Sequence, residues 1–225
     1  MTNTLHRYGD ADSLRNDYIV FAIPSRGYND KDCVPKLRQF LRMAVKHKPV
    51  NLGDGSRGGI YRPARKLNPL AHWFRKTKPD YEEVVEGVAN PTTVAAVFDN
   101  KEAAERFVAD LREADLGVSI NISATIERAR ECCRDVGLAR HSVEYSLGFI
   151  GRTDRLADRR TLELATMCGH GMISFNFARK MIDYVKEGRR TPEQACGYMA
   201  RFCSCGVFNP TRAKDLLEQC RRGKM

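Results

Sequence analysis

Residues 92–150 read as strand, helix, strand, helix, strand, and this order constrains the fold more than any other feature of the chain. Thr92 to Phe98 is a β-branched run of strand character. A helix follows over Lys101 to Ala114, with Ala104, Phe107, Val108 and Leu111 on one face and Gly117 after its end. Val118-Ser119-Ile120-Asn121-Ile122 alternates apolar and polar with period two, as a half-buried strand does. Ile126 to Val136 is a second helix closed by Gly137, and His141 to Ile150 reads as a third strand.

Upstream, Tyr18-Ile19-Val20-Phe21-Ala22-Ile23 is a buried strand stopped by Pro24, too short to span a bilayer. From Lys36 the apolar residues Leu37, Phe40, Leu41, Ala44 and Val45 carry helical spacing, with Pro35 in the first turn. Together these elements predict an α+β fold, ferredoxin-like or a related α/β sandwich of about four strands. Residues 1–17 read as a loosely held polar tail. Residues 48–80 read as an irregular, basic, glycine-rich loop, with 53–59 mobile and without the Gly-Lys-Ser/Thr ending of a phosphate loop.

From about Asp158 the texture changes to short helices. Ser174 caps one. Thr191-Pro192-Glu193-Gln194 is a capping box with proline in the first turn, and Asn209-Pro210 opens the last helix. The predicted organisation is therefore a sandwich over 1–155 and a helical, cysteine-bearing module over 156–225.

The chain has 225 residues and eight cysteines, and Met1 to Arg15 lacks an export signal, so a cytoplasmic location is expected. In that setting the cysteines point to metal binding or thiol chemistry rather than a disulfide framework. Cys133, Cys196 and Cys220 fall on apolar helix faces and read as core residues, while Cys33, before Val34-Pro35, is undecided. Cys168, Cys203 and Cys205 belong to no apolar stripe. They lie in Met167-Cys168-Gly169-His170-Gly171 and Cys203-Ser204-Cys205-Gly206, glycine-marked turns expected to lead into helix N-termini, where dipoles favour thiolates.

Three readings of these cysteines stay open. An iron–sulfur cluster, of 4Fe-4S type with one iron free, would use Cys168, Cys203 and Cys205, with Cys33 or His170 nearby. Zinc held by three sulfurs and His170 is the competing metal arrangement. In a metal-free enzyme, Cys168 and Cys205 would act with His170 in proton transfer or thiol chemistry. The first predicts redox or lyase-type chemistry on a small anionic substrate, with Arg26 and Arg57 as carboxylate binders, or electron exchange with a redox partner protein. Whether the chain is an enzyme, or one subunit of a larger complex that completes the site, stays open at this point.

The string Met167-Cys168-Gly169-His170-Gly171 resembles the segment around one catalytic cysteine of the proline racemase and hydroxyproline epimerase family. There a cysteine pair exchanges a proton with the substrate α-carbon. The resemblance covers five residues, and the family's second segment, a cysteine before Gly-Thr-Gly, is matched by Cys205-Gly206 alone, so membership is not assigned. It implies that such a turn can hold a reactive thiolate against an anionic substrate.

The net charge of +10 is uneven: +9 over residues 1–80, −5 over 81–140 and +6 over 141–225. Basic residues interleaved with Tyr61, Trp73 and Phe74 would suit single-stranded nucleic acid, which makes a nucleic-acid- or protein-binding adaptor a further alternative. Docking of the basic segment on the acidic middle region is the simpler account.

Overall fold

The computed structural model describes residues 6–63 and 80–223. In chain order the elements are α1 (Ala11–Leu14), β1 (Tyr18–Ile23), α2 (Val34–Lys46) and β2 (Asn51–Asp54). Two-residue strands β3 (Gly58–Gly59) and β4 (Arg62–Pro63) follow, then α3 (Tyr81–Gly87), β5 (Val94–Phe98), α4 (Lys101–Ala114), β6 (Ser119–Ser123) and α5 (Ile126–Asp135). The C-terminal helices are α6 (Arg159–Ala165), α7 (Phe175–Lys186), α8 (Pro192–Ala200) and α9 (Pro210–Arg221). The fold is α+β.

The helices begin where side chains can satisfy their free N–H groups. Asn100, Thr125, Ser174 and Asn209 each accept a hydrogen bond from the backbone three residues on. Thr191 and Gln194 form the reciprocal capping box expected for α8.

The sheet is antiparallel in every pairing, with the order β4-β3-β2-β5-β1-β6. Three of the four expected strands form, as β1, β5 and β6, and the stretch read as an irregular loop over 48–80 supplies three more, β2, β3 and β4. Glycines at positions 53 and 59 sit opposite one another across β2 and β3, so this end of the sheet presents bare backbone.

Period-two alternation sends successive side chains of the central strands to opposite faces. Tyr18, Val20 and Ala22 of β1, with Val94, Ala96 and Phe98 of β5, face α2 and α4, where Phe107 packs between Phe40 and Phe98 at ring-centroid distances of 5.0 and 5.4 Å. Ile19, Phe21, Ala95 and Val97 face the other way, onto a core built from α6 to α9. The C-terminal helices thus cover one face of the sheet while α2 and α4 cover the other.

Three local expectations are corrected. The N-terminal segment is held rather than loose from His6 onward: the His6 N–H donates to the Gly169 carbonyl at 3.2 Å, and the Tyr8 N–H to Thr166 Oγ1 at 2.9 Å. Residues 141–150 form no strand despite their alternation, since no neighbouring strand of the described residues pairs with them. On α5 it is Cys132 that is buried and Cys133 only half-buried, because the helix turns Cys132 and Val136, one turn apart, toward the core. Among the described residues, no helix is long and apolar enough to cross a membrane.

Candidate functional site

The three cysteines singled out in the sequence meet. Cys203 and Cys205 follow α8, and their sulfurs are 3.9 Å apart. Cys168 ends a 3-10 turn, Thr166–Cys168, that prolongs α6, and its proton affinity is coupled to Cys203. His170 closes the group, with Nδ1 3.5 Å from Cys205 Sγ and a side-chain hydrogen bond to Cys168. Of the other predicted participants, Cys33 is not brought here. Cys33 caps α2 in the core on the opposite face of the sheet. Arg26 is exposed beyond the end of β1, and Arg57 lies in the turn between β2 and β3.

The backbone shapes this group. Gly169 and Gly206 have φ of +76° and +73°, left-handed values that glycine adopts without strain. The Cys203–Gly206 turn lies flat on the sheet because nothing projects from β2 or β3 there: a Cβ on Gly53 would stand 2.7 Å from Gly206 Cα, and one on Gly59 would stand 3.0 Å from it. The glycine-rich stretch therefore seats the cysteine turn; it does not act as a flap.

Each sulfur also takes a backbone N–H: from His170 at Cys168, from Phe208 at Cys203 and from Val207 at Cys205. Such donors stabilise thiolate over thiol. The expected helix N-termini do not supply this effect. Cys168 sits past the C-terminal end of a helix, where the dipole has the opposite sign.

The sulfurs consequently differ in proton affinity. Donation to Cys203, together with burial, drives the Cys168 thiol far above its ordinary value. The bond received from Cys168 favours Cys203 thiolate, but its own donation to Cys205 and its burial outweigh that and push it up to about 12. Cys205 receives the bond from Cys203 and is held below the ordinary thiol value, with Arg7 also lowering it. The result is a graded group in which Cys205, partly exposed, is the sulfur most readily ionised. Of the three sulfurs, Cys205 alone is shifted in the direction of the expected thiolate.

Behind the cysteine turn lies a buried ionic network with no sequence signature of its own. Asp17 and Arg212 are 4% and 6% exposed. Arg7 Nη1 reaches the Asp17 carboxylate at 2.6 Å, Arg212 Nη1 reaches it at 3.2 Å, and Asn209 Nδ2 donates to it at 2.9 Å. Arg7 also donates to the Val207 carbonyl, two residues beyond Cys205. Burial alone would raise the Asp17 pKa, but Arg7, Arg212 and the Asn209 hydrogen bond prevail and hold it low. This network fixes the N-terminal strap, the cysteine turn and the start of α9 to one another.

Among the described residues, no group of three or more His, Cys, Asp or Glu side chains is placed to hold a metal ion as it stands. A cleft of about 570 Å³ beside α8 and α9, lined by Tyr61, Tyr198, Arg201 and Lys214 among others, contains none of the three sulfurs. The other interleaved aromatic and basic residues of the 48–80 stretch, including Trp73 and Phe74, lie outside the described residues. Comparison with protein-family models, curated proteins and solved structures returned no match.

Proposed function

We propose that the chain is a metal-dependent protein whose centre is one thiophilic ion held by Cys168, Cys203, Cys205 and His170. The observation that carries this is the spacing of the donors. With bonds of about 2.3 Å to sulfur and about 2.0–2.1 Å to nitrogen, a tetrahedral ion separates two sulfurs by about 3.8 Å and a sulfur from a nitrogen by about 3.6 Å. The two measured edges are 3.9 and 3.5 Å. Loss of the thiol protons removes the S–H···S contacts of the present arrangement and leaves the three backbone N–H donors to hold the thiolates.

Zinc suits this donor set better than the iron–sulfur cluster first expected, since ligands on separate irons stand further apart than ligands on a single ion. Four protein donors make a closed site of structural type. His170, exposed and uncharged as a ligand, is the donor that a small anionic substrate would displace if the centre performs lyase-type chemistry. We also infer a ferredoxin-like core. The four longer strands stand in the order β2-β5-β1-β6 and are linked as β-α-β-β-α-β when the short β3, β4 and α3 are set aside.

Anaerobic purification with zinc, iron and sulfide analysis tests the proposal. One zinc per chain, lost in Cys168→Ser and Cys203→Ser, is expected. Substitution by Co(II) should give the intense tetrahedral thiolate spectrum. A brown protein with stoichiometric iron and sulfide returns the reading to a cluster. A second reading, metal-free thiol chemistry at Cys205, is favoured by that sulfur's lowered pKa and partial exposure. A metal-free protein whose Cys205 alone alkylates rapidly supports it instead.

A further inference from the structure

The cleft beside α8 and α9 is assembled from three separate parts of the chain. Gln194, Gly197, Tyr198 and Arg201 line it at i, i+3, i+4 and i+7, so they share one face of α8 and its C-terminal cap. The first turn of α9 forms another wall. Val50, just before β2, and Tyr61, between β3 and β4, complete the lining. The two helices are tied at the cleft itself, where the Cys196 thiol donates to the Pro210 carbonyl at 3.4 Å. At about 570 Å³ the space falls within the range of small-molecule sites, about 300–1,000 Å³.

Two features of the lining point to a ligand. The first is Gly197. After proline, glycine is the least favourable residue in a helix interior, and here its usual reasons are missing. Gly197 has no positive φ, and a Cβ placed on it would meet nothing within 4 Å among the described residues. Its bare Cα widens the cleft and lets a bound molecule lie against the helix backbone. The second feature is the charge around the Tyr198 ring. The Arg190 and Arg201 guanidinium carbons stand 5.9 and 5.7 Å from its centroid. Lys214 adds a third cation and pairs at 2.7 Å with Glu193, the one carboxylate among the described lining residues. With Arg201 counted, the lining is net positive, and the α9 dipole adds the same sign.

We propose that this cleft binds a nucleoside phosphate, with its base along Gly197 and Tyr198 and its phosphate on Arg201 and Lys214. Each half of such a ligand answers one of the two features. A planar ring is what a bare helix backbone beside a tyrosine face accepts, and bases stack on aromatic rings irrespective of their identity. A phosphate suits the guanidinium fork and the lysine ammonium. Lys214 can turn from Glu193 to the phosphate, because both side chains are about half exposed and water weakens their attraction. The enclosed volume suits one nucleotide, whereas a strand needs a groove that tracks several. The cleft contains none of the three sulfurs, so this proposal is independent of the metal reading.

The test is calorimetric binding to the full chain as purified. The probes are the adenosine, guanosine, cytidine and uridine monophosphates, the free nucleosides, inorganic phosphate and a short single-stranded oligonucleotide. At least one monophosphate should bind at one site per chain, about tenfold or more tighter than its nucleoside and than inorganic phosphate. Gly197→Leu, which fills the cleft with a good helix former, should abolish binding without lowering the thermal midpoint. Arg201→Gln and Lys214→Gln should each weaken binding about tenfold, as loss of a charge-assisted contact does. Absence of nucleotide binding, or binding no tighter than that of inorganic phosphate, would overturn the proposal. So would nucleotide binding that survives all three substitutions. An oligonucleotide that binds far more tightly than every monophosphate, with steep salt dependence, would overturn it in favour of a strand-binding surface.

Discussion

Gly53 and Gly206 lie backbone against backbone: a Cβ built on Gly206 would stand 2.5 Å from Gly53 Cα, and one on Gly53 would stand 2.7 Å from the Cys205 carbonyl oxygen. This contact joins the sheet to the turn that carries two of the candidate ligands. Gly53→Ala therefore has no room that a side-chain movement can supply. It should cost about 1–3 kcal/mol, the range for overpacking, read as a fall in the denaturation midpoint. Because the turn must shift to relieve the clash, the variant should also bind zinc more weakly than a control with free space, Gly87→Ala.

Asp17 should dominate the acid limb of the stability curve. Its folded pKa is depressed, so its contribution is present above the unfolded carboxylate value of about 3.9 and is lost as pH falls through the lower folded value. Asp17→Asn leaves Arg7 and Arg212 facing each other uncompensated and should cost about 3–5 kcal/mol at neutral pH. Denaturant titrations of the two proteins at several pH values should converge below that window. Parallel curves across the whole acid range would remove Asp17 from this role.

Thiol reactivity should separate the three sulfurs. In metal-free protein Cys205 should alkylate first, with a rate midpoint below that of an ordinary thiol, since its pKa is lowered. Cys203, with its pKa raised to about 12, and Cys168, raised further by its donation to Cys203 and by burial, should stay silent until the protein unfolds. Mass spectrometry of peptides after brief treatment with iodoacetamide across a pH series reads this directly. Cys203→Ala, which removes the neighbouring donor, should move the Cys205 midpoint upward.

Metal binding should be strongly pH dependent with a predictable sign. Cys168 and Cys203, whose pKa values are raised, must ionise to bind, so each ion taken up should release at least two protons. Zinc affinity should therefore rise steadily as pH increases through the neutral range. Calorimetry in buffers of different ionisation enthalpy counts the protons. An affinity that does not change with pH would mean that those two sulfurs are not ligands.

His170→Ala should leave folding intact, because the side chain is exposed and lies outside the buried network. It should weaken zinc binding less than Cys203→Ser does, and it should change the Co(II) spectrum from four-donor to three-donor thiolate character. An unchanged spectrum would place His170 outside the coordination shell.

Much of this molecule was legible along the chain because the relevant physics is local. The helix Lys101–Ala114 announced itself by apolar spacing, and the caps at Ser174, Thr191 and Asn209 by side chains that must meet N–H groups three residues away. The convergence of Cys168 with Cys203 and Cys205 was suggested by elimination, since no helix face claimed them. The misreadings came where the partner was distant. The strap from His6 to Asp17 looked loose because the carbonyl, hydroxyl and guanidinium that hold it come from residues 158 or more positions away or from within the strap. Residues 53–59 looked mobile because bare glycine backbone resembles a loop until another backbone is laid on it. Residues 141–150 carry a strand pattern, but no strand among the described residues pairs with them.

The sequence by itself determined the longer helices and the strands at 18–23, 94–98 and 119–123, because capping and periodicity act over a few residues. Only the tertiary structure decided that Cys205 is the favoured thiolate. That ordering depends on sulfurs from two separate turns sharing protons in a buried place, with Arg7 brought in from the far end of the chain. Proton affinity is a property of surroundings, and here those surroundings are assembled only by folding.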